Sequence, residues 1–282
     1  MDIRRRLTET TTFTPVEQNL AHAVLELGEG LRGYSIKEFA RAQAVSVASI
    51  HRFCKKLGLE GFKELKVEVA RASAAGSGIA ADVNFPFDPG STSAEIAPRI
   101  EDVYRTTLAD TRALLSADEL DRAAELIVAA HGVDIYTASH NLYPAETFAY
   151  RLGSASFTAH CYVEGESQVR RAFASGPGNV ALLISYSGLT PYVAQLLPLL
   201  AQRNVPVICV GTPQAARRHP GLAAYLTVSD RESLSRRITQ FSSHIAVQYV
   251  LDVLYGCVFA RTYERSMAFL QEVMPHLTPQ IM

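Results

Sequence analysis

From residue 133 onward the chain is built of short apolar or β-branched runs: Val133–Ala138, Ser156–Val163, Val180–Ser185, Val205–Val210 and Ala224–Val228. Helical stretches at Tyr143–Leu152 and Pro191–Gln202, and a short polar connection through 164–174, separate the first four. Runs that are apolar nearly throughout belong to strands covered on both faces, and strands that alternate with helices pair in parallel. This part of the chain is therefore restricted to an α/β fold with a parallel sheet between helical layers. A long last helix, about 236–261, is expected to close it.

The N-terminal part follows another rule. Residues 14–31 place Val16, Leu20, Val24 and Leu27 on one helical face, with Thr14 as N-cap and Pro15 at the first helical position. Gly28 and Gly30 end that helix. A second helix starts at Ser35 with Ile36, Phe39 and Ala40 inward. A third starts after Ser46, carries Ile50, Phe53 and Leu57 inward and stops at Gly58. A fourth runs from about Gly61 to Ala72 with Phe62, Leu65 and Val69 on one side. Strands have no place here, so the segment reads as an all-α domain over 1–75. The Ala-, Gly-, Ser- and Pro-rich stretch that follows reads as a linker over 76–93, and residues 94–282 as the α/β domain. That domain opens with two helices, Ser93–Leu115 and Ala117–Ala130.

With 48% hydrophobic and 20% charged residues the chain has the composition of a globular protein. No apolar run approaches the roughly 18 residues of a membrane span. The three arginines near the N-terminus have no apolar segment behind them, so export is not expected and a cytoplasmic location is. Cys54, Cys161, Cys209 and Cys257 form no pair at metal-ligand spacing; no metal, cofactor or disulfide is expected. The net charge of −1 advertises no polyanion, but residues 1–75 hold 12 Lys or Arg against 9 Asp or Glu, while the rest holds 15 against 19.

That mild excess gains meaning at the third helix. Ser46 can accept the free N–H of Ser49, and the inward Ile50, Phe53 and Leu57 leave Val47, Ala48, Ser49, His51, Arg52, Lys55 and Lys56 outside. Small residues at the helix start let the backbone approach base edges. His51 and Arg52 can reach bases or phosphates, and Lys55 and Lys56 suit phosphates. A capped helix with a solvated basic face has the same look in any three-helix domain, so spacing alone does not decide for double-stranded DNA.

The string FARAQAVSVASIHRFCKKLGLEGFKELK goes further, because it resembles the N-terminal signature of the RpiR-type regulators. The agreement runs through Ala40, Val45, Ser46, Arg52, Phe53, Lys56, Leu57, Gly58, Gly61, Phe62, Glu64, Leu65 and Lys66, with Ser49 where that signature has Thr. Ala44 departs from it, standing where such turns often carry Gly. The resemblance implies a helix-turn-helix that binds DNA.

A second signal is ISYSGLTPYV, residues 184–193, which follows an apolar run and opens a helix with Thr190 as N-cap and Pro191 in the first turn. Hydroxyls of Ser185, Ser187 and Thr190 lie beside a positive helix end, and Gly188 allows close backbone approach. This suits a phosphate or carboxylate, and an ordinary capped turn as well. The string resembles the S-x-S-G-x-T phosphate-binding motif of sugar isomerase (SIS) domains, which RpiR-type regulators carry behind the helix-turn-helix. SSHIAVQYVLDVLY, residues 242–255, is similar to that family's last helix, with His244 in place of Arg. The resemblance implies a five-stranded parallel SIS domain that binds a sugar phosphate or related metabolite, with Ser243 and His244 in the pocket. In TASHNLYPAE, residues 137–146, Thr137 and Ser139 replace glycines and Asn141 replaces serine. Ser139, His140 and Asn141 can then hydrogen-bond sugar hydroxyls.

The expected protein is a homodimeric or homotetrameric, DNA-binding, non-enzymatic regulator reading an inverted-repeat operator, with no membrane partner. Two alternatives stand beside it. One is a sugar-phosphate isomerase, for which Glu146, Glu232, His140 and His244 are the available bases and none forms an evident acid/base pair. The other is a DNA-binding protein whose SIS domain only dimerises.

Overall fold

The computed structural model describes residues 3–8, 13–74, 81–163 and 165–277. The chain divides into two compact units, Met1–Ala80 and Ala81–Met282.

The first unit is all α: α1 (Ile3–Thr8), α2 (Pro15–Leu27), a 3-10 turn (Gly28–Gly33), α3 (Ile36–Ala42), α4 (Val47–Lys56) and α5 (Phe62–Ala74). Its core joins Leu20, Val24, Phe39, Ile50, Phe53 and Leu65, each essentially without exposed surface. Phe39 stacks on Phe62 at 5.3 Å, and Phe13 meets Phe53 edge-on at 5.7 Å. Helix starts are set by side chains. Thr14 with Glu17 and Ser35 with Glu38 each form a reciprocal capping box.

The turn between α3 and α4 is closed by Val45 N–H on the Ala40 carbonyl at 3.0 Å and Ala44 N–H on the Arg41 carbonyl at 3.2 Å. That is a Schellman stop, and it puts Ala44 at φ +53°. An L-residue with a Cβ is strained there by about 1 kcal/mol. Ala44→Gly is therefore expected to stabilise this unit by about 1 kcal/mol, seen as a rise in its melting temperature on the order of 4–8 °C. An unchanged or lower melting temperature would show that the turn holds Ala44 without strain.

The second unit begins with α6 (Ser93–Leu114) and α7 (Ala117–Ala129). β1 (Gly132–Tyr136), α8 (Leu142–Ser154), β2 (Ala159–Tyr162), α9 (Gly165–Ala174), β3 (Asn179–Ile184), α10 (Pro191–Gln202), β4 (Val207–Gly211), α11 (Pro213–Arg218) and β5 (Ala224–Thr227) follow. The unit ends in α12 (Phe241–Arg261) and α13 (Tyr263–Leu277). Among the described residues the strands form one five-stranded sheet, parallel throughout, in the order β2-β1-β3-β4-β5. Ile135, Leu182, Ile184 and Val210 face one apolar layer with α7, α8 and α12. Tyr136, Ala181, Leu183 and Cys209 face another with α9 and α10. The strand order reverses between β1 and β3, which opens a crevice outside their carboxyl ends.

Three expectations change here. The polar connection at 164–174 is largely the helix α9. Only Gln168 and Ala172 of that helix are buried, so no apolar stripe marks it. Gln168 Nε2 donates to the carbonyls of Thr137 and Tyr162, both at 2.8 Å, and so ties α9 to the ends of two strands. The last long helix starts at Phe241 rather than 236, and α13 follows it. Residues 81–92, read as linker, are held to the α/β unit. Ala81 N–H donates to Asp102 at 2.9 Å, Asn84 Oδ1 accepts from Ser233 N–H at 2.6 Å, and Phe87 packs on Phe241. Residues 76–80 of that stretch lie outside the described residues.

One further expectation is corrected by length and composition. α12 is long and apolar enough to cross a membrane. It is apolar because it is packed on α6, α7 and α8 and supplies Ala246, Val247, Val250, Leu251 and Leu254 to the core. The four cysteines are free thiols. Burial pushes Cys54 and Cys161 up to about 11 and Cys209 up to about 12, so these thiols are poor nucleophiles at neutral pH.

Candidate nucleic-acid interface and candidate ligand pocket

α4 is built to expose one edge. Ser46 Oγ accepts the Ser49 N–H at 3.1 Å and lies 2.9 Å from Ser49 Oγ, while the Arg52 guanidinium reaches Ser49 Oγ at 3.4 Å. Ile50, Phe53 and Cys54 are buried on the opposite side. Gly58, at φ +71°, ends the helix, and Arg6 donates to the Leu57 carbonyl at 2.7 Å beside it. Ala48, His51, Arg52 and Lys55 are exposed, and Ser49 is half-buried at the same edge. Ala48, Arg52 and Lys55 share one face by the helical repeat.

Two residues of the expected set sit differently. Val47 is half-buried and, like Val45, packs against the core. Lys56 Nζ is bound by Glu17 at 2.7 Å and lies 5.5 Å from the centre of the Phe13 ring, so its charge is used within the unit. Lys56 also explains why the Glu17 carboxyl is held below the usual carboxylate range, with the Thr14 N–H adding to the effect. His51 borders a groove of about 710 Å³ with Phe62, Lys63 and Val67.

In the second unit the loop between β3 and α10 folds on itself. Ser185 Oγ and Thr190 Oγ1 are 2.8 Å apart, so Thr190 holds the N-cap position while its hydroxyl serves Ser185 instead of a helical N–H. Ser187 Oγ accepts from Leu189 N–H at 3.2 Å. Gly188 is buried at φ +68°, and a Cβ there would lie 3.0 Å from Ala215, so no other residue fits without moving α11. The end of α11 secures the loop from behind: Arg218 donates to the Ser187 carbonyl at 2.7 Å, and His219 Nε2 lies 2.8 Å from the Gly188 carbonyl. No sequence signal marks these two residues, since their role depends on β4 lying beside β3.

The turn after β1 is tight. Ser139 is exposed at φ +58°, a conformation that fits the glycine it replaces in the resembling pattern. His140 is half-buried and Asn141 buried. Thr137 Oγ1, His140 Nε2 and Asn141 Oδ1 are buried atoms without a hydrogen-bond partner among the described residues. Burial lowers the His140 pKa, and the positive charge of Arg237 adds to the shift, so the ring is neutral at pH 7. Ser243, at the start of α12, is buried and spent. Its N–H donates to Glu232 at 3.0 Å and its Oγ to Glu232 at 2.6 Å. Glu232 also accepts from Ser242 N–H at 2.8 Å and from Arg237 at 2.5 Å. His244 is half-buried one residue further on. Reading Glu232 only as a possible base missed that it caps a helix starting nine residues later.

The family model of the rpiR-family helix-turn-helix domain matches residues 3–76. An HTH-type transcriptional regulator of Caldanaerobacter subterraneus subsp. tengcongensis is 27% identical over 93% of this chain and 92% of its own length. The HTH-type transcriptional regulator HexR of Pseudomonas aeruginosa is 23% identical over 98% of this chain and 94% of its own. The chain also matches the bifunctional protein glk of Paraburkholderia xenovorans at 24% identity, spanning 32% of that protein. Among solved structures, the Vibrio vulnificus NanR protein complexed with ManNAc-6P is similar over 99% of this chain and 100% of its own, with a TM-score of 0.59 and 19% identity. The sugar isomerase domain of the RpiR transcription factor from Sphaerobacter thermophilus covers 64% of this chain and 99% of its own, with a TM-score of 0.56 and 18% identity. The N-terminal unit thus carries a helix-turn-helix domain of the rpiR family, the α/β unit has the fold of a sugar isomerase domain, and the chain is similar from end to end to HTH-type transcriptional regulators.

Proposed function

We propose that the chain binds an operator through the exposed edge of α4 and is controlled by a sugar phosphate or related carbohydrate metabolite at the carboxyl ends of β1 and β3. The observation that carries the reading is the pairing of the two sites on one chain. One is a capped helix presenting Ala48, Ser49, His51, Arg52 and Lys55; the other is a serine- and threonine-lined loop before a helix N-terminus. In this reading His51 and Arg52 read bases, Ser49 orients Arg52, and Lys55 contacts phosphate. The effector meets Ser185, Ser187, Gly188 and Thr190 at one end and the Ser139–Asn141 turn at the other.

Each protomer supplies one reading helix, so a homodimer or homotetramer binds an inverted repeat in double-stranded DNA inside the cell. Effector binding biases the arrangement of the reading helices by its differential affinity for the DNA-competent state. The four hydrogen bonds to Glu232 support regulation over isomerase chemistry, because they commit that carboxylate to the start of α12. The test is a binding titration with the DNA upstream of the chain's own gene against random DNA, with and without a panel of sugar phosphates. Preference for the upstream DNA, altered by at least one panel member, is expected. Equal affinity for both DNAs would overturn the DNA reading. Preference that no panel member changes would leave the second domain as a dimerisation module.

A further inference from the structure

Residues 81–92 form no helix or strand, yet they are fastened to the α/β unit. They carry the chain from the first unit, which ends at Ala80, into α6. Asn84 is their main hold. Asp82 sets its geometry, with Oδ1 accepting the Asn84 N–H at 2.9 Å and the Asn84 Nδ2 at 3.2 Å. Asn84 Oδ1 accepts the Ser233 N–H at 2.6 Å, and the Asn84 carbonyl accepts the Ile238 N–H at 2.9 Å. Phe87 adds an edge-on contact with Phe241, the first residue of α12, at 6.2 Å.

The two N–H groups that Asn84 holds have a particular place. Ser233 directly follows Glu232, and Ile238 directly follows Arg237, the two members of the ion pair beside the start of α12. Glu232 in turn accepts the N–H groups of Ser242 and Ser243 and the Ser243 hydroxyl. The loop between them is drawn in by the Ser233 hydroxyl, which accepts from the Arg236 N–H at 3.1 Å. One hydrogen-bonded unit therefore runs from the segment after Ala80 to the cap of α12. α12 also packs against the turn after β1, where His140 feels the charge of Arg237. Phe85, Leu234 and Ile238 flank the Asn84 contacts and are exposed, so opening those contacts breaks no core packing.

We propose that Asn84 is a latch that couples the cap of α12 to the DNA-binding unit, so that a change at the cap alters operator affinity. The inference rests on the effector reading above for what moves the cap, and adds the route by which that site regulates. Two hydrogen bonds and one ring contact suit a latch. Elements that move in allostery come from places with few buried contacts, where opening is within a ligand's reach.

The test uses the full chain and two measurements. The first is hydrogen exchange of the Ser233 and Ile238 amides, free and bound to the upstream DNA described above. Coupling is reciprocal, and exchange through rare opening reports a latch even when it is nearly always closed. DNA is expected to change both wild-type rates by about fivefold or more, and the Ile238 rate in Asn84→Ala by less than about twofold. Amides of β3, at the centre of the sheet, serve as the reference and are expected to stay unchanged.

The second measurement is operator affinity with and without N-acetylmannosamine 6-phosphate or glucose 6-phosphate, whose own binding is followed by calorimetry. At least one of them is expected to change wild-type affinity by about fivefold or more. Asn84→Ala is expected to lose that response while binding the same probe within about twofold of wild type. Asp88→Ala removes an exposed ion pair with Arg99 from the same segment and is expected to keep the response. A folded Asn84→Ala protein that responds as wild type does would overturn the latch and leave the carbohydrate reading standing. Unchanged exchange at Ser233 and Ile238 in the DNA-bound wild type would overturn it too. If neither probe binds, the carbohydrate reading fails, and the exchange measurement alone decides the latch.

Discussion

Replacing Arg52 with alanine is expected to weaken operator binding by about 1–3 kcal/mol, roughly five- to more than hundredfold, and to relax sequence preference at the base pair it reads. The expectation follows from position. Arg52 is exposed on the face of α4 shared with Ala48 and Lys55, and its guanidinium is steered by the Ser49 hydroxyl. Lys55→Ala makes the contrast, because a lysine on phosphate contributes without reading sequence. It is expected to lower affinity for specific and random DNA alike and to reduce the slope of log affinity against log salt by about 1. Lys56→Ala should act on stability first, since Lys56 is held by Glu17. Fluorescence anisotropy over a salt series separates the three variants. An Arg52→Ala protein that binds its operator at wild-type affinity would remove α4 from the interface.

Asp134→Ala is expected to destabilise the α/β unit by about 3 kcal/mol. Asp134 lies in the middle of β1, is 1% exposed, and accepts hydrogen bonds from Arg171 at 2.8 Å, Ser175 at 2.9 Å and Asn179 at 3.0 Å. Removing the carboxylate leaves those donors unpaired beneath α9. Arg171 retains partial access to solvent, which places the estimate at the lower end of the range for a broken buried ion pair. In a unit of this size the loss corresponds to a fall in melting temperature on the order of 6–12 °C. A loss below about 1 kcal/mol would mean that the donors find water when the carboxylate is gone.

The sequence made the helix-turn-helix legible because its signals are local. Ser46 caps three residues ahead, Pro15 sits at a first turn, and apolar spacing marked the buried faces of α2 to α5, except that Val16, read as inward, is exposed because it lies in the open first turn of α2. The strands were readable because a parallel sheet buried on both faces leaves apolar runs with nothing to alternate. What stayed hidden depended on partners distant along the chain. α9 points Gln168 inward to serve two strand ends and so carries no apolar stripe. Lys56 finds Glu17 across thirty-nine positions. Glu232 became visible as a cap only once α12 was seen to begin at Phe241, and Arg218 and His219 reach the β3 loop only because β4 pairs with β3. The unpaired atoms of Thr137, His140 and Asn141 have no sequence signature, because whether a polar atom lacks a partner depends on everything packed around it.

The hydrogen-bonded line from Ser46 through Ser49 to Arg52 bears on the thermodynamics of reading DNA. A long arginine ordinarily gives up rotamer freedom on docking, at about 0.5–1.5 kcal/mol for an immobilised side chain. Here part of that ordering happens when the helix forms, because the serine that caps α4 also positions the serine that holds the guanidinium. Affinity at this base pair is thereby coupled to helix fraying. Whatever loosens the first turn of α4 makes association less favourable in entropy before any contact with DNA is lost.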